Sequence, residues 1–146
     1  MKPHPMAPKF NIEENVDITN VIFIDDEWIY NQGLDLYQFV GLTDILISDV
    51  SSIIFDYMLL DQPIVCISED FEEYKNNRGY FFEDIEDKIP TKVLKSQIEL
   101  FDYVDILLKT GVDVYQDKRI TLKEYFFKYL DDQSTKRLLD LILKIK

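Results

Sequence analysis

The sequence predicts an α/β fold: an open parallel sheet flanked by helices, with a helical carboxy-terminal segment. Three observations carry this. Two short β-branched runs without polar alternation, Ile45–Ile47 and Pro63–Ile67, read as strands buried on both faces of a parallel sheet. Between them Ser51–Leu60 reads as a helix of roughly three turns, so strand, turn, helix and strand form one βαβ unit with a right-handed crossover. From Thr91 onward the apolar spacing is helical.

In chain order, Met1 to Pro8 (MKPHPMAP) is too proline-rich for regular structure. It holds the single histidine, His4, whose backbone is stiffened by Pro3 and Pro5. Asn20–Ile24 reads as a further strand, Asp25-Asp26-Glu27 as an acidic loop, and Leu34–Leu42 as a short helix, giving β-α-β-α-β. After Ile67, Phe71–Asn77 reads as a helix capped by Ser68 or Asp70. Arg78-Gly79 follows, then the aromatic run Tyr80-Phe81-Phe82. Thr91–Thr110 carries apolar residues at Leu94, Ile98, Phe101, Val104 and Leu108, with Gly111 as its natural C′ residue. Thr121–Leu130 and Ser134–Ile145 repeat that pattern, and all three stripes are expected to face the core.

A length of 146 residues suits one domain, 1–146, with a sizeable core. The apolar content of 47% excludes a disordered chain, and no apolar run approaches a membrane span. One cysteine, Cys66, inside a predicted strand, excludes an intramolecular disulfide and makes cytoplasmic residence the default. A net charge of −12 argues against a nucleic-acid partner or an anionic membrane surface. The sequence shows no metal-ligand spacing, and no cofactor is expected.

The chemistry concentrates in the turn Ser48-Asp49-Val50-Ser51-Ser52, at the carboxyl end of one strand and the amino end of the helix. Ligands of open α/β sheets bind there. Helix-start amides and the helix dipole favour an anion, and Ser51 and Ser52 add hydroxyl donors, so a phosphate fits. Asp56, four residues beyond Ser52 on the same helix face, can accept from a hydroxylated ligand. The alternative is plain: serine is a preferred N-cap, and a capped buried helix needs no ligand. Arg78 can fork around phosphate oxygens, with Gly79 allowing a close backbone approach.

Taken together, DILISDVSSIIFDYMLLDQPIV, EDFEEYKNNRGYFF and YLDDQSTKR resemble the carboxy-terminal half of the CDP-glycerol glycerophosphotransferases, which build poly(glycerol phosphate) of teichoic acids. The resemblance runs from Pro3-His4-Pro5 to Arg137. It implies a Rossmann-like domain, the carboxy-terminal half of a GT-B architecture, that binds CDP-glycerol. It places His4 beside the donor pyrophosphate as the catalytic residue, Ser51 and Ser52 on the donor phosphates, Asp56 on the glycerol or phosphate region, and Arg78 near the diphosphate.

The implied reaction passes glycerol phosphate to a teichoic-acid-type acceptor and releases CMP, on the inner face of the cell membrane in a full-length enzyme. Departures are Val50 where tyrosine is common, Gln133 where glycine is usual, and Ile89-Pro90-Thr91 in place of a proline-glycine-proline segment. The family's amino-terminal acceptor domain is missing, so a partner chain or further domain is implied, and activity in isolation is not expected. The rival expectations are a catalytically silent nucleotide-binding module and a transferase half using another nucleotide-activated donor.

Overall fold

A computed structural model describes residues 1–2, 20–77, 79–80 and 82–145. The chain forms two compact units, Met1–Thr43 and Asp44–Lys146.

In the first unit the expected strand Asn20–Ile24 is irregular backbone. The Ile24 N–H donates to the Met1 carbonyl at 3.0 Å and the Met1 amino group donates to the Ile22 carbonyl. Val21 and Ile22 are exposed while Ile24 is buried, so the run packs through its end rather than as a strand. The acidic triplet read as a loop starts a helix, α1 (Asp26–Asn31). Asp25 Oδ1 accepts from the Trp28 N–H at 2.7 Å, and Asp26 and Glu27 occupy the first turn, where negative charge is favoured. Helix α2 (Leu36–Val40) is shorter than its apolar pattern. It starts on a reciprocal capping box, with Gln38 N–H to Asp35 Oδ1 at 2.8 Å and Asp35 N–H to Gln38 Oε1 at 2.9 Å. Trp28 and Phe39 meet edge to face, centroids 6.1 Å apart.

The second unit is α/β, as the sequence predicts. Its sheet has three parallel strands in the order β1 (Leu46–Ser48), β2 (Ile64–Ile67), β3 (Val93–Leu94). Leu46 pairs with Ile64 and Ser48 with Cys66; Cys66 pairs in turn with Val93. Between β1 and β2 lie α3 (Ile53–Tyr57) and a single 3₁₀ turn, Met58–Leu60. The outer layer comprises α4 (Phe71–Asn77), α5 (Ile85–Lys88), α6 (Gln97–Thr110), α7 (Gln116–Phe126) and α8 (Ser134–Lys144).

The core gathers Ile54, Tyr57 and Met58 from the crossover, Ile64, Val65 and Cys66 from β2, and Phe71, Ile89, Leu107 and Leu122 from around them. Ile64, Val65 and Cys66 of β2 are buried, as expected of a central parallel strand, whereas Ile67 is half-buried and Ile47 on β1 is half exposed.

Three expectations need correction. The helix read from Thr91 begins only at Gln97, where the Ser96 hydroxyl accepts from the Glu99 N–H at 3.2 Å; the preceding residues form β3. Gly111 does close this helix, at φ 66°, its N–H reaching the Leu107 carbonyl. The stripes expected in the core are largely on the surface: Ile98, Phe101 and Leu108 of α6 are exposed, and Leu107 is the buried one. α8 buries no residue at all.

Burial also sets a pH response. The Cys66 thiol is pushed up to about 12, first by burial and then by the Asp49 carboxylate. The Tyr103 phenol of α6 is likewise pushed up to about 12, by burial and then by Asp113. Both stay protonated in the folded chain where the unfolded chain has released its protons. Above the ordinary thiol value of 9.0 the unfolded state binds fewer protons, so stability is full below that pH and falls as pH rises toward about 12. Cys66→Ala should remove the thiol's share of this loss, up to about 1.4 kcal/mol per pH unit, in urea unfolding on either side of that value.

Candidate functional site

β1 delivers the chain to the turn at the carboxyl edge of the sheet, and the crossover returns it as β2. In that turn the Ser51 N–H donates to the Asp49 carbonyl at 2.9 Å. The Ile54 and Phe55 amides donate to the Ser51 and Ser52 carbonyls at 3.2 and 3.1 Å. Regular helix therefore starts at Ile53 rather than Ser51, and α3 has five residues. Two amides expected to face a ligand are engaged within the chain, and so short a helix has a small dipole. A phosphate held here depends mainly on the two serine hydroxyls.

Ser52 is exposed and Ser51 half-buried. Ser52 occupies the N-cap position with helical φ and ψ, −58° and −25°, and its side chain makes no capping hydrogen bond. The alternative of an ordinary serine cap is thereby removed for this residue. Asp56 lies half-buried in the first turn of α3. His4 and Arg78 lie outside the described residues. The structure thus brings Ser51, Ser52 and Asp56 onto one turn and helix.

The neighbourhood is acidic. The Ser48 hydroxyl donates to Asp49 Oδ1 at 3.3 Å, and the Ser68 hydroxyl to Asp70 Oδ1 at 2.8 Å. The Ser68 N–H reaches the Leu94 carbonyl across the end of the sheet at 2.9 Å. Tyr80 stacks on Phe71 with centroids 5.3 Å apart and tilts against Tyr74 at 4.9 Å. Its phenol is pushed up by burial first, then by Tyr74, Asp70, Cys66 and Asp49, so this ring stands beside the same edge. Along the sequence Tyr80 looked like one of three consecutive aromatics; the signal was its place directly after Arg78-Gly79. Gly79 turns the chain out of α4 at φ 72°, its N–H reaching the Tyr74 carbonyl at 3.1 Å, a conformation that disfavours a side chain.

A groove of about 460 Å³ lies in the second unit, lined by residues that include Phe71, Glu72, Glu86, Thr91, Lys95 and Lys118; Ser51, Ser52 and Asp56 do not line it. Lys95 is paired with Glu72 and Lys75 with Glu86, both at 2.8 Å. Three lysines, Lys92, Lys95 and Lys118, line the groove beside three carboxylates, Glu72, Glu86 and Asp87, so it offers an anion no net attraction. Among the described residues no cluster of histidine, cysteine and acidic side chains could hold a metal ion. No helix among them is long and apolar enough to cross a membrane.

The chain is similar to known proteins. The chain is 35% identical over 97 residues to the teichoic acid ribitol-phosphate polymerase TarL of Staphylococcus aureus, covering 66% of this chain and 16% of that protein. It is 26% identical over 122 residues to a teichoic acid glycerol-phosphate transferase of the same organism, covering 84% of this chain and 30% of the relative. It is 29% identical over 133 residues to a teichoic acid poly(glycerol phosphate) polymerase of Bacillus spizizenii, covering 90% and 32%. The chain thus spans between 16% and 32% of the length of these relatives. The sequence model of one family matches residues 1–144. This chain belongs to the CDP-glycerol:poly(glycerophosphate) glycerophosphotransferase family.

Proposed function

We propose that this chain is the donor-binding domain of a transferase that moves glycerol phosphate from CDP-glycerol to a teichoic-acid-type acceptor, releasing CMP. The observation that carries this is the Ser52 hydroxyl, exposed, without a capping bond, and within the motif Ser-Asp-x-Ser-Ser-x-x-x-Asp. An acceptor hydroxyl attacks the β-phosphorus and releases its proton to water, the bond from that phosphorus to the CMP oxygen breaks, and negative charge grows on the departing phosphate. Ser51 and Ser52 donate hydrogen bonds to the phosphates as that charge develops. Asp56 accepts from a glycerol hydroxyl. Arg78 neutralises diphosphate charge, which the acidic carboxylates at the sheet edge cannot do. His4, as imidazolium, protonates the leaving group; imidazole suits that role near neutral pH.

Residues 1–146 act in this reading as one half of a GT-B architecture at the inner membrane face, and the acceptor site is supplied by a further domain or partner chain. Similarity to a ribitol-phosphate polymerase favours one second reading, a donor that carries ribitol phosphate. Titration calorimetry with CDP-glycerol, CDP-ribitol, CMP and a UDP-sugar separates the cases. CDP-glycerol should bind tightest, and the Ser51→Ala, Ser52→Ala double variant should weaken it at least about tenfold, two hydrogen bonds to a charged group being lost, with the melting temperature unchanged. Tighter binding of CDP-ribitol selects the second reading. Heat with none of the ligands overturns the assignment in favour of a silent assembly module, and an unaltered affinity in the double variant overturns the roles of Ser51 and Ser52.

A further inference from the structure

The groove beside β3 carries one charge of each sign that the described residues leave unmatched. Its other charges are committed: Glu72 to Lys95 and Glu86 to Lys75, both at 2.8 Å, and Lys92 to Glu99 at 3.8 Å. Lys118 and Asp87 also line the groove, and neither makes an ion pair among the described residues. The Lys118 Nζ donates to the Glu86 carbonyl at 3.2 Å, which leaves it further N–H groups to donate. Burial holds this ammonium below the usual lysine range, against the opposing pull of Asp87, which stands near enough to act on it. Thr91 lines the groove too. It is only 3% exposed, and its hydroxyl has no hydrogen-bond partner among the described residues. Buried hydroxyls are ordinarily satisfied, so this one marks a place for a ligand atom. Phe71, Val93 and the Tyr115 ring add apolar wall, and the volume of about 460 Å³ falls in the range of small-molecule sites.

We propose that this groove binds a free α-amino acid with an apolar side chain, its carboxylate on Lys118 and Thr91 and its ammonium on Asp87. Charge decides between ligand classes. A simple anion meets as many carboxylates as lysines in the groove. A neutral polyol leaves the partly desolvated Lys118 ammonium without a counter-charge. A zwitterion supplies one charge of each sign to the two unmatched groups, and its side chain covers Phe71, Val93 and Tyr115. Ser51, Ser52 and Asp56 do not line the groove, so the proposal stands independently of the donor reading.

Titration calorimetry and saturation-transfer NMR of the full chain with phenylalanine test it. Phenylalanine should bind. Its methyl ester and its N-acetyl derivative, which each lack one of the two charges, should bind at least about tenfold more weakly, as expected for one lost charged hydrogen bond. Lys118→Met and Asp87→Asn should each weaken phenylalanine by a similar factor. Asp87 is exposed, so Asp87→Asn keeps the test valid if Lys118→Met alters the fold. The Ser51→Ala, Ser52→Ala double variant should bind phenylalanine as wild type does, which separates this site from the donor site. Absence of binding, equal binding of the ester or the N-acetyl derivative, or an affinity unchanged in Asp87→Asn overturns the proposal. So does inorganic phosphate or glycerol that displaces phenylalanine at lower concentration than phenylalanine itself binds; the groove then serves an anion or a polyol.

Discussion

Arg119→Met should lower the unfolding free energy by about 3–5 kcal/mol, a large share of the about 5–15 kcal/mol typical of a domain. Arg119 in α7 is 1% exposed. Its Nη1 contacts the Asp113 carboxylate, itself largely buried, and its Nη2 lies 3.9 Å from Asp61 Oδ1. Asp61 ends the crossover in the left-handed region, at φ 54°, so one guanidinium ties the end of the βαβ unit to the outer helix layer. Loss of the cation leaves the Asp113 carboxylate buried and uncompensated, and that desolvation dominates the cost. The contact is electrostatic rather than a well-aligned fork, since Nε, Nη1 and Asp113 Oδ2 find no aligned hydrogen-bond partner among the described residues. Adding Asp113→Leu to Arg119→Met should therefore recover much of the loss. Urea unfolding followed by circular dichroism measures the cycle. Additive losses in the double variant would mean that Arg119 acts through packing alone.

This latch was invisible along the sequence, where Arg119 follows Lys118 and nothing local marks it for burial. What the sequence did reveal is the part governed by local chemistry. β1 and β2 were legible because β-branched runs between turn residues have few other uses. β3 was not, because two residues cannot show a period, and Leu94 fitted the spacing of the helix behind it. The helices of the outer layer were legible as helices from their apolar repeat. Which side each repeat buries depends on neighbours, and for α6 the core took Leu107 and left Ile98 and Phe101 in solvent. Asn20–Ile24 failed for the same reason: the run has strand composition, but Val21 and Ile22 lie exposed and Ile24 alone of the run is buried. The site followed the same division. The spacing of Ser51, Ser52 and Asp56 located the turn, while the engagement of the Ile54 and Phe55 amides inside it came only from the backbone path.

The last prediction separates the two faces of α3. Ile54, wholly buried, points from α3 into the core. Ile54→Ala should cost about 2–5 kcal/mol, the transfer energy of the lost methyl groups plus that of the cavity left behind. Ser52→Ala, two residues earlier, should behave in the opposite way. An ordinary serine N-cap is worth about 1 kcal/mol, but Ser52 makes no capping bond, so its loss should change stability by less than about 0.5 kcal/mol. If Ser52→Ala costs a full cap's worth, its hydroxyl serves the helix and the anion site loses its principal donor. If Ile54→Ala destabilises the fold and Ser52→Ala leaves it intact, the same short helix is held by its buried face and free to bind a ligand at its exposed start. The two effects act on different faces, so they should add in the double variant to within about 0.5 kcal/mol, and the stability of the domain and its affinity for a phosphate donor can be altered one at a time.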